Sequence, residues 1–271
     1  MIRTYLFHKD ELEQVPYVQE ILSKDRREKI EKLKREDAKE LSVCAELLLI
    51  YALRTESEEI ALPLSVQKDE RDKPSLEEGR WHFNLSHARD FAVCSLSDQP
   101  VGVDIESFKV REILYPEKIL HPEEARLLGY ISNANEKKKY FFECWVAKES
   151  YLKNLGIGLM VRPSDFMVSE DELMIKDRKI ENPRGSHTKI QLPANIQEGR
   201  HEGGKDTTLS DNLQLLEKRY VHVFAPGEIR GTDWKFDANY RCAVCSQQKD
   251  PDHVARQIHA DDLKRVLEGV V

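Results

Sequence analysis

The stretch Gln99–Ser107, QPVGVDIES, sets Asp104 and Glu106 into a run of valine and isoleucine. Side chains alternate along a strand, so the two carboxylates share one face, about 7 Å apart, and Val103 and Ile105 share the other. Like charges so placed in a half-buried setting call for a cation or a shared proton. The alternative is a strand end whose acidic face is simply wet. A third carboxylate, Glu149, falls four residues after Trp145 in NEKKKYFFECWVAKESYLKNLGIGL, where Phe141, Trp145 and Leu152 repeat at helical spacing. An acid on the aromatic side of a helix needs a reason. Lys153, one turn on, offers a simple one as an intrahelical pair. Lys148 lies about 100° around the same helix, toward another part of the same cavity.

The elements that must position these groups are legible in outline. MIRTYLF reads as a first strand, and VQEILSKDRREKIEKLKREDAKELSVCAELLLIYALRT as one or two helices whose basic first half is a solvated face. Between Pro63 and Glu78 lies a polar, proline-containing loop with room for a short strand. RWHFNLS, FAVCSLS and PVGVDIE follow at spacings that predict an antiparallel meander. HPEEARLLGY starts a helix at Pro122 with two acids in its first turn, and Gly156 is a stop for the long helix before it. SDFMVSEDELMIKD, RKIENPR and SHTKIQL suggest further strands; Pro193–Gln214, nearly free of large apolar residues, reads as a mobile surface loop; RYVHVFAPGEIR and YRCAVCSQQ read as closing strands. The tetrapeptide AVCS occurs at Ala92–Ser95 and again at Ala243–Ser246, a faint sign of duplication.

Composition bounds the function. The 271 residues, 40% hydrophobic and 34% charged, describe a soluble globular chain of one large domain or two ordinary ones. No apolar run approaches the roughly 18 residues of a membrane span, and the start lacks the apolar core of a signal peptide, so the expectation is a cytoplasmic protein without membrane contact. The five cysteines, an odd number in apolar surroundings, suit a reducing compartment. Cys242-x-x-Cys245 has no second metal-binding pair and sits in a strand-like stretch, against a zinc site. A net charge of −7 argues against nucleic acid. An anionic ligand must then be held by a local cationic cluster.

FNLSHARDFAVCSLSDQPVGVDIE, followed some forty residues on by FFECWVAKESYLKNLGIGL, resembles the two signature blocks of the 4′-phosphopantetheinyl transferases, a (V/I)G(V/I)D(I/V)E strand and an FxxxWxxKE(S/A)xxKxxGxG(L/I) helix. The resemblance is close from Lys73 to Leu159 and looser elsewhere. Chain length is similar to the surfactin-synthetase-activating subfamily. This implies an α+β pseudo-dimer of two similar halves, each an antiparallel sheet packed with helices. The implied halves are 1–106, with the basic helix and nucleotide-phosphate contacts, and 107–271, with the WVAKES helix.

The resemblance implies transfer of the phosphopantetheine arm of coenzyme A to a serine of an apo acyl or peptidyl carrier protein, releasing adenosine 3′,5′-bisphosphate. Asp104, Glu106 and Glu149 match the family's metal positions for Mg²⁺, with Mn²⁺ as a substitute. Glu149 and Lys153 match its catalytic positions, Glu149 as the base. Lys148 and Lys153 match diphosphate contacts, Ser86 and His87 nucleotide-phosphate contacts, and Arg26, Lys29 and Lys73 contacts around the adenine end and 3′-phosphate. A pseudo-dimer is expected to act as a monomer. Two other readings use the same residues: another metal-dependent enzyme acting on a diphosphate, and a non-catalytic module that binds coenzyme A or a carrier protein.

Overall fold

The computed structural model describes the chain except residues 17, 57–59, 70–72, 77–79, 171–186, 192–218, 234, 248, 251 and 269–271. The expected strand RKIENPR and the expected loop 193–214 lie outside the described residues.

Strand β1 (Ile2–His8) leads to the short helix α1 (Val18–Ile21), then α2 (Lys24–Lys32) and α3 (Glu36–Glu56). The basic segment and the apolar one are thus separate helices, parted at Leu33, whose N–H closes the end of α2 on the Ile30 carbonyl. Along α3 every residue from Leu41 to Leu53 is buried. A helix apolar on all sides is a core helix, and this one packs against β1 and strands β4 (His82–Ala88) and β5 (Phe91–Ser97). The proline-containing loop holds a small hairpin, β2 (Val66–Lys68) with β3 (Pro74–Leu76).

Strand β6 (Val101–Ser107) corrects the expected meander. β4 and β5 form a hairpin, but β6 pairs antiparallel with β10 (Tyr240–Ser246) and begins a second sheet. Helices α4 (Pro122–Tyr130) and α5 (Ala134–Leu155) follow, then strands β7 (Met167–Glu170), β8 (His187–Gln191) and β9 (Tyr220–Phe224). The second sheet runs β6-β10-β9-β8-β7, all antiparallel. The chain then returns: β11 (Val254–Gln257) adds in parallel to β1, and α6 (Ala260–Leu267) buries Leu263 and Leu267 in the α3 core. The first sheet is therefore β11-β1-β5-β4. A cut at 106/107 does not follow this pairing, because β6 belongs with β10 and the C-terminal strand and helix belong with β1 and α3.

The connectivity repeats. Strand, long helix and two further strands, with the last strand pairing antiparallel to the first, describe β1-α3-β4-β5 and β6-α5-β9-β10 alike. The two AVCS stretches hold the same place: Ala92–Ser95 face Phe7 to Thr4, and Ala243–Ser246 face Asp104 to Val101. By this register Phe7 stands in the first unit where Asp104 stands in the second, so only one unit carries the acid. Cys242 and Cys245, three apart on β10, join different apolar clusters on its two sides. All five cysteines are free and buried. Among the described residues no helix is long and apolar enough to cross a membrane.

Candidate active site

The two sheets meet edge to edge. β4 and β6 lie side by side, and Asn84 of β4 accepts the Val103 N–H of β6 at 2.9 Å through its side-chain oxygen. Further along this seam, Ser86 Oγ donates to Asp104 Oδ1 at 2.8 Å. Asp104 is 5% exposed.

Helix α5 crosses over β6 with its backbone almost touching the strand. A Cβ at Gly102 would stand 2.0 Å from the Ser150 carbonyl oxygen and 2.5 Å from the Asn154 nitrogen. The glycine of the VGVDIE motif is therefore a packing requirement. Asn154 fixes this end of the helix, its amide donating to the Pro100 and Cys245 carbonyls at 2.8 and 3.2 Å. Gly156, at φ +65°, ends α5 as expected, its N–H capping the Leu152 and Lys153 carbonyls.

So held, α5 presents Lys153 to the strand. Its ammonium donates to Asp104 Oδ1 at 2.6 Å and Ser86 Oγ at 2.9 Å. The simple expectation, an intrahelical pair with Glu149, is replaced by this cross-element one, since a buried carboxylate attracts more strongly than one nearer solvent. Among the described residues Glu149 makes no hydrogen bond or ion pair. Burial, and then the Asp104 carboxylate, push its pKa up against the pull of Lys153. Glu106 is likewise raised by burial and by Asp104, against Arg111, which pairs with it at 2.8 Å.

Asp104 Oδ2 is buried and has no hydrogen-bond partner among the described residues. An ionised oxygen left so is costly unless something else meets it. Among the described residues no three His, Cys, Asp or Glu side chains already stand as a closed cation cage. The donors fit a hard cation that takes few protein oxygens and completes its shell with water or phosphate, as Mg²⁺ does.

A cationic flank adjoins this centre. Helix α2 is moored by the buried Glu46 of α3, which accepts from the Ser23 N–H and hydroxyl and from Arg26 Nε at 2.5, 3.0 and 2.8 Å. Arg26 therefore neutralises Glu46 and anchors α2, while Lys29, on the same helix, has no ion-pair partner among the described residues. Burial, Arg26 and Lys68 lower the Lys29 pKa; burial, Lys29, Lys153 and Arg26 lower that of His87 on β4. Arg26, Lys29, Lys68 and Lys153 thus contribute positive charge around Lys29 and His87. Lys73 serves the fold instead: its ammonium caps the Asn154 carbonyl at 2.8 Å and its chain lies along Gly156.

Lys148, expected at the diphosphate, is also engaged within the fold. It is fully buried, ion-paired to Glu124 at 2.5 Å, and donates to the Ile119, Pro163 and Phe166 carbonyls at 3.0, 2.8 and 2.8 Å. Its ammonium has no hydrogen left for a ligand. Glu124 also accepts the His121 and Val168 N–H groups, so the pair ties α4, α5 and the start of β7 together. Replacing Lys148 by methionine should cost about 3–5 kcal/mol of stability by stranding Glu124, with coenzyme A affinity retained in the folded fraction. Urea unfolding and calorimetric titration check this. Normal stability with lost affinity would return Lys148 to the phosphates.

Asn84, Asn154, Glu46 and Glu124 were not singled out from sequence. The only local signal was the acid pair in HPEE, which read as a helix start, and Glu124 does close that capping box. A cavity of about 110 Å³ beside Met1, Asp98 and Lys249 includes none of the site residues.

The fold and site together define an α+β protein with an acid and lysine centre beside a cluster of basic side chains. Comparison with known proteins agrees. Residues 100–198, a stretch that includes β6 and α5, match the family model of the 4′-phosphopantetheinyl transferase superfamily. The chain is 33% identical over 135 residues to 4′-phosphopantetheinyl transferase gsp of Aneurinibacillus migulanus, covering 48% of this chain and 54% of that protein. It is 37% identical over 93 residues to psf-1 of Bacillus pumilus, covering 34% and 40%, and 33% identical over 88 residues to Sfp of Bacillus subtilis strain 168, covering 32% and 38%. The matches span about half the length, or less, of these relatives.

Proposed function

We propose that the protein transfers 4′-phosphopantetheine from coenzyme A to a serine of an apo acyl or peptidyl carrier protein, as a cytoplasmic monomer. The observation that carries this reading is the buried, partnerless oxygen of Asp104, set within the family's signature strand and facing the signature helix. Asp104, Glu106 and Glu149 would hold Mg²⁺ or Mn²⁺, which when bound neutralises charge on the diphosphate oxygens. Lys153 and Ser86 orient the diphosphate, and Lys29 and His87 receive the nucleotide phosphates. Glu149, without a hydrogen bond or ion pair among the described residues and with its pKa raised by burial, takes the serine proton. The serine oxygen bonds to the phosphorus attached to pantetheine as the bond to the bridging diphosphate oxygen breaks, and adenosine 3′,5′-bisphosphate leaves. Just after β6, the exposed Val110, Leu114 and Tyr115, with Lys109, Arg111 and Lys118 among them, offer an apolar and basic surface to an acidic carrier.

The test is incubation with coenzyme A, Mg²⁺ and a panel of apo-carriers, read by intact-protein mass. Addition of one phosphopantetheine, dependent on the carrier serine, supports the reading. No mass gain on any carrier, with coenzyme A unconsumed, removes it. The cationic flank makes a second expectation. Dephospho-coenzyme A should be the poorer substrate, and Lys29→Ala and His87→Ala should each shrink the preference, because a charge-assisted contact contributes about 1.5–3 kcal/mol. An unchanged ratio of kcat/KM in both variants would place the 3′-phosphate elsewhere. Arg26→Ala is a poor probe of this question, since it strands Glu46 in the core.

A further inference from the structure

We propose that Lys153 is a tethered counter-ion that occupies the cation position on Asp104 until a diphosphate draws it away, so that divalent-cation binding depends on coenzyme A. This rests on the transferase reading. Among the described residues Lys153 is the only cation paired with Asp104, at 2.6 Å from Oδ1, and Ser86 braces the same oxygen. The other carboxylate oxygen is left bare. The charge of Asp104 is therefore countered by one that is part of the chain, with one of its two oxygens still open to a cation.

The lysine is built to move. Its side chain is 30% exposed against 7% for Asp104, and it rides on the last turn of α5, where Gly102 and Asn154 hold the backbone fixed. A long flexible stem on a fixed anchor lets the ammonium swing without moving the helix. A dication arriving while Lys153 remains would share one carboxylate with a second positive charge, and Arg111 already covers Glu106. A diphosphate changes the balance by offering Lys153 an anionic partner of higher charge and freeing both oxygens of Asp104. By linkage, the factor by which coenzyme A tightens the cation equals the factor by which the cation tightens coenzyme A.

The experiment is titration of the full chain with Mn²⁺, followed by electron paramagnetic resonance, with and without coenzyme A. The parent should bind Mn²⁺ weakly alone and about tenfold or more tightly with coenzyme A, within the usual range of coupling. Lys153→Met should tighten Mn²⁺ binding in the absence of coenzyme A by roughly the same factor and lose most of the enhancement. Adding Asp104→Asn to that variant should abolish the tightened site, and Lys153→Arg, which keeps the charge, should bind as weakly as the parent. If Lys153→Met leaves Mn²⁺ binding alone unchanged, or if Arg and Met tighten it equally, the counter-ion role is overturned. Carrier modification by the parent in the mass assay would then leave the transferase reading standing. A parent that neither modifies a carrier nor gains Mn²⁺ affinity with coenzyme A overturns both.

Discussion

Glu149→Gln should abolish transfer and at the same time stabilise the fold. The two effects have one cause, a carboxylate kept partly buried beside Asp104 with no hydrogen bond or ion pair among the described residues. Gln keeps the shape but can neither accept the serine proton nor offer a charged oxygen to a cation, so turnover should fall about 10²–10⁴-fold while coenzyme A still binds. The stability effect follows from the sign of the pKa shift. An acid whose folded pKa lies above its unfolded value binds more protons in the native state, so the parent loses stability as pH rises from the ordinary glutamate value through the raised one. Above the raised value that loss is complete, and Gln escapes it. Without divalent cation, Glu149→Gln should melt above the parent at pH 7, and the gap should close as pH falls through the ordinary carboxylate range. Thermal melts across pH, paired with the mass assay, check both halves. A variant that turns over normally removes Glu149 from the chemistry, and one that melts below the parent at pH 7 means that the carboxylate is better accommodated than its surroundings indicate.

The second large effect is expected at a residue with no functional group. Gly102→Ala places a methyl 2.0 Å from the Ser150 carbonyl and 2.5 Å from the Asn154 nitrogen, both backbone atoms of α5. No rotamer relieves a backbone contact, so the helix must lift off β6. Overpacking of a tight interface costs about 1–3 kcal/mol or more, and Glu149 and Lys153 move with the helix. A displacement of about 1 Å can cost on the order of 10²-fold in rate. We expect a clear loss of stability in urea and a loss of activity larger than the unfolded fraction explains, with the Lys153 to Asp104 contact broken. Parent-like stability and turnover in Gly102→Ala would mean that α5 and β6 are not packed this closely in solution.

What the sequence by itself determined is what depends on near neighbours. Alternation along β6 put Asp104 and Glu106 on one face; helical spacing brought Glu149 and Lys153 one turn apart on α5; His121 with Pro122 and Glu124 started α4, and Gly156 ended α5. These follow from covalent geometry and from the unsatisfied backbone groups at helix ends, which a few consecutive residues settle. The two AVCS stretches also hold equivalent register positions, although four shared letters carried little weight alone. What only the tertiary structure decided is which distant group each of these residues meets. A strand edge pairs with β5 or with β10 equally well by its own pattern, and β6 took the partner 140 residues away in the register Asp104 to Ala243, so the meander was not formed. The ammonium of Lys148 and that of Lys153 are five residues apart on one helix, yet one lies enclosed by Glu124 and three carbonyls while the other reaches Asp104 at the seam. Arg26, one of several basic residues on α2, is singled out by Glu46 twenty positions on. Charge and hydrogen-bonding capacity are written in the residue, but burial and partner set their consequence, and both are properties of the packed chain.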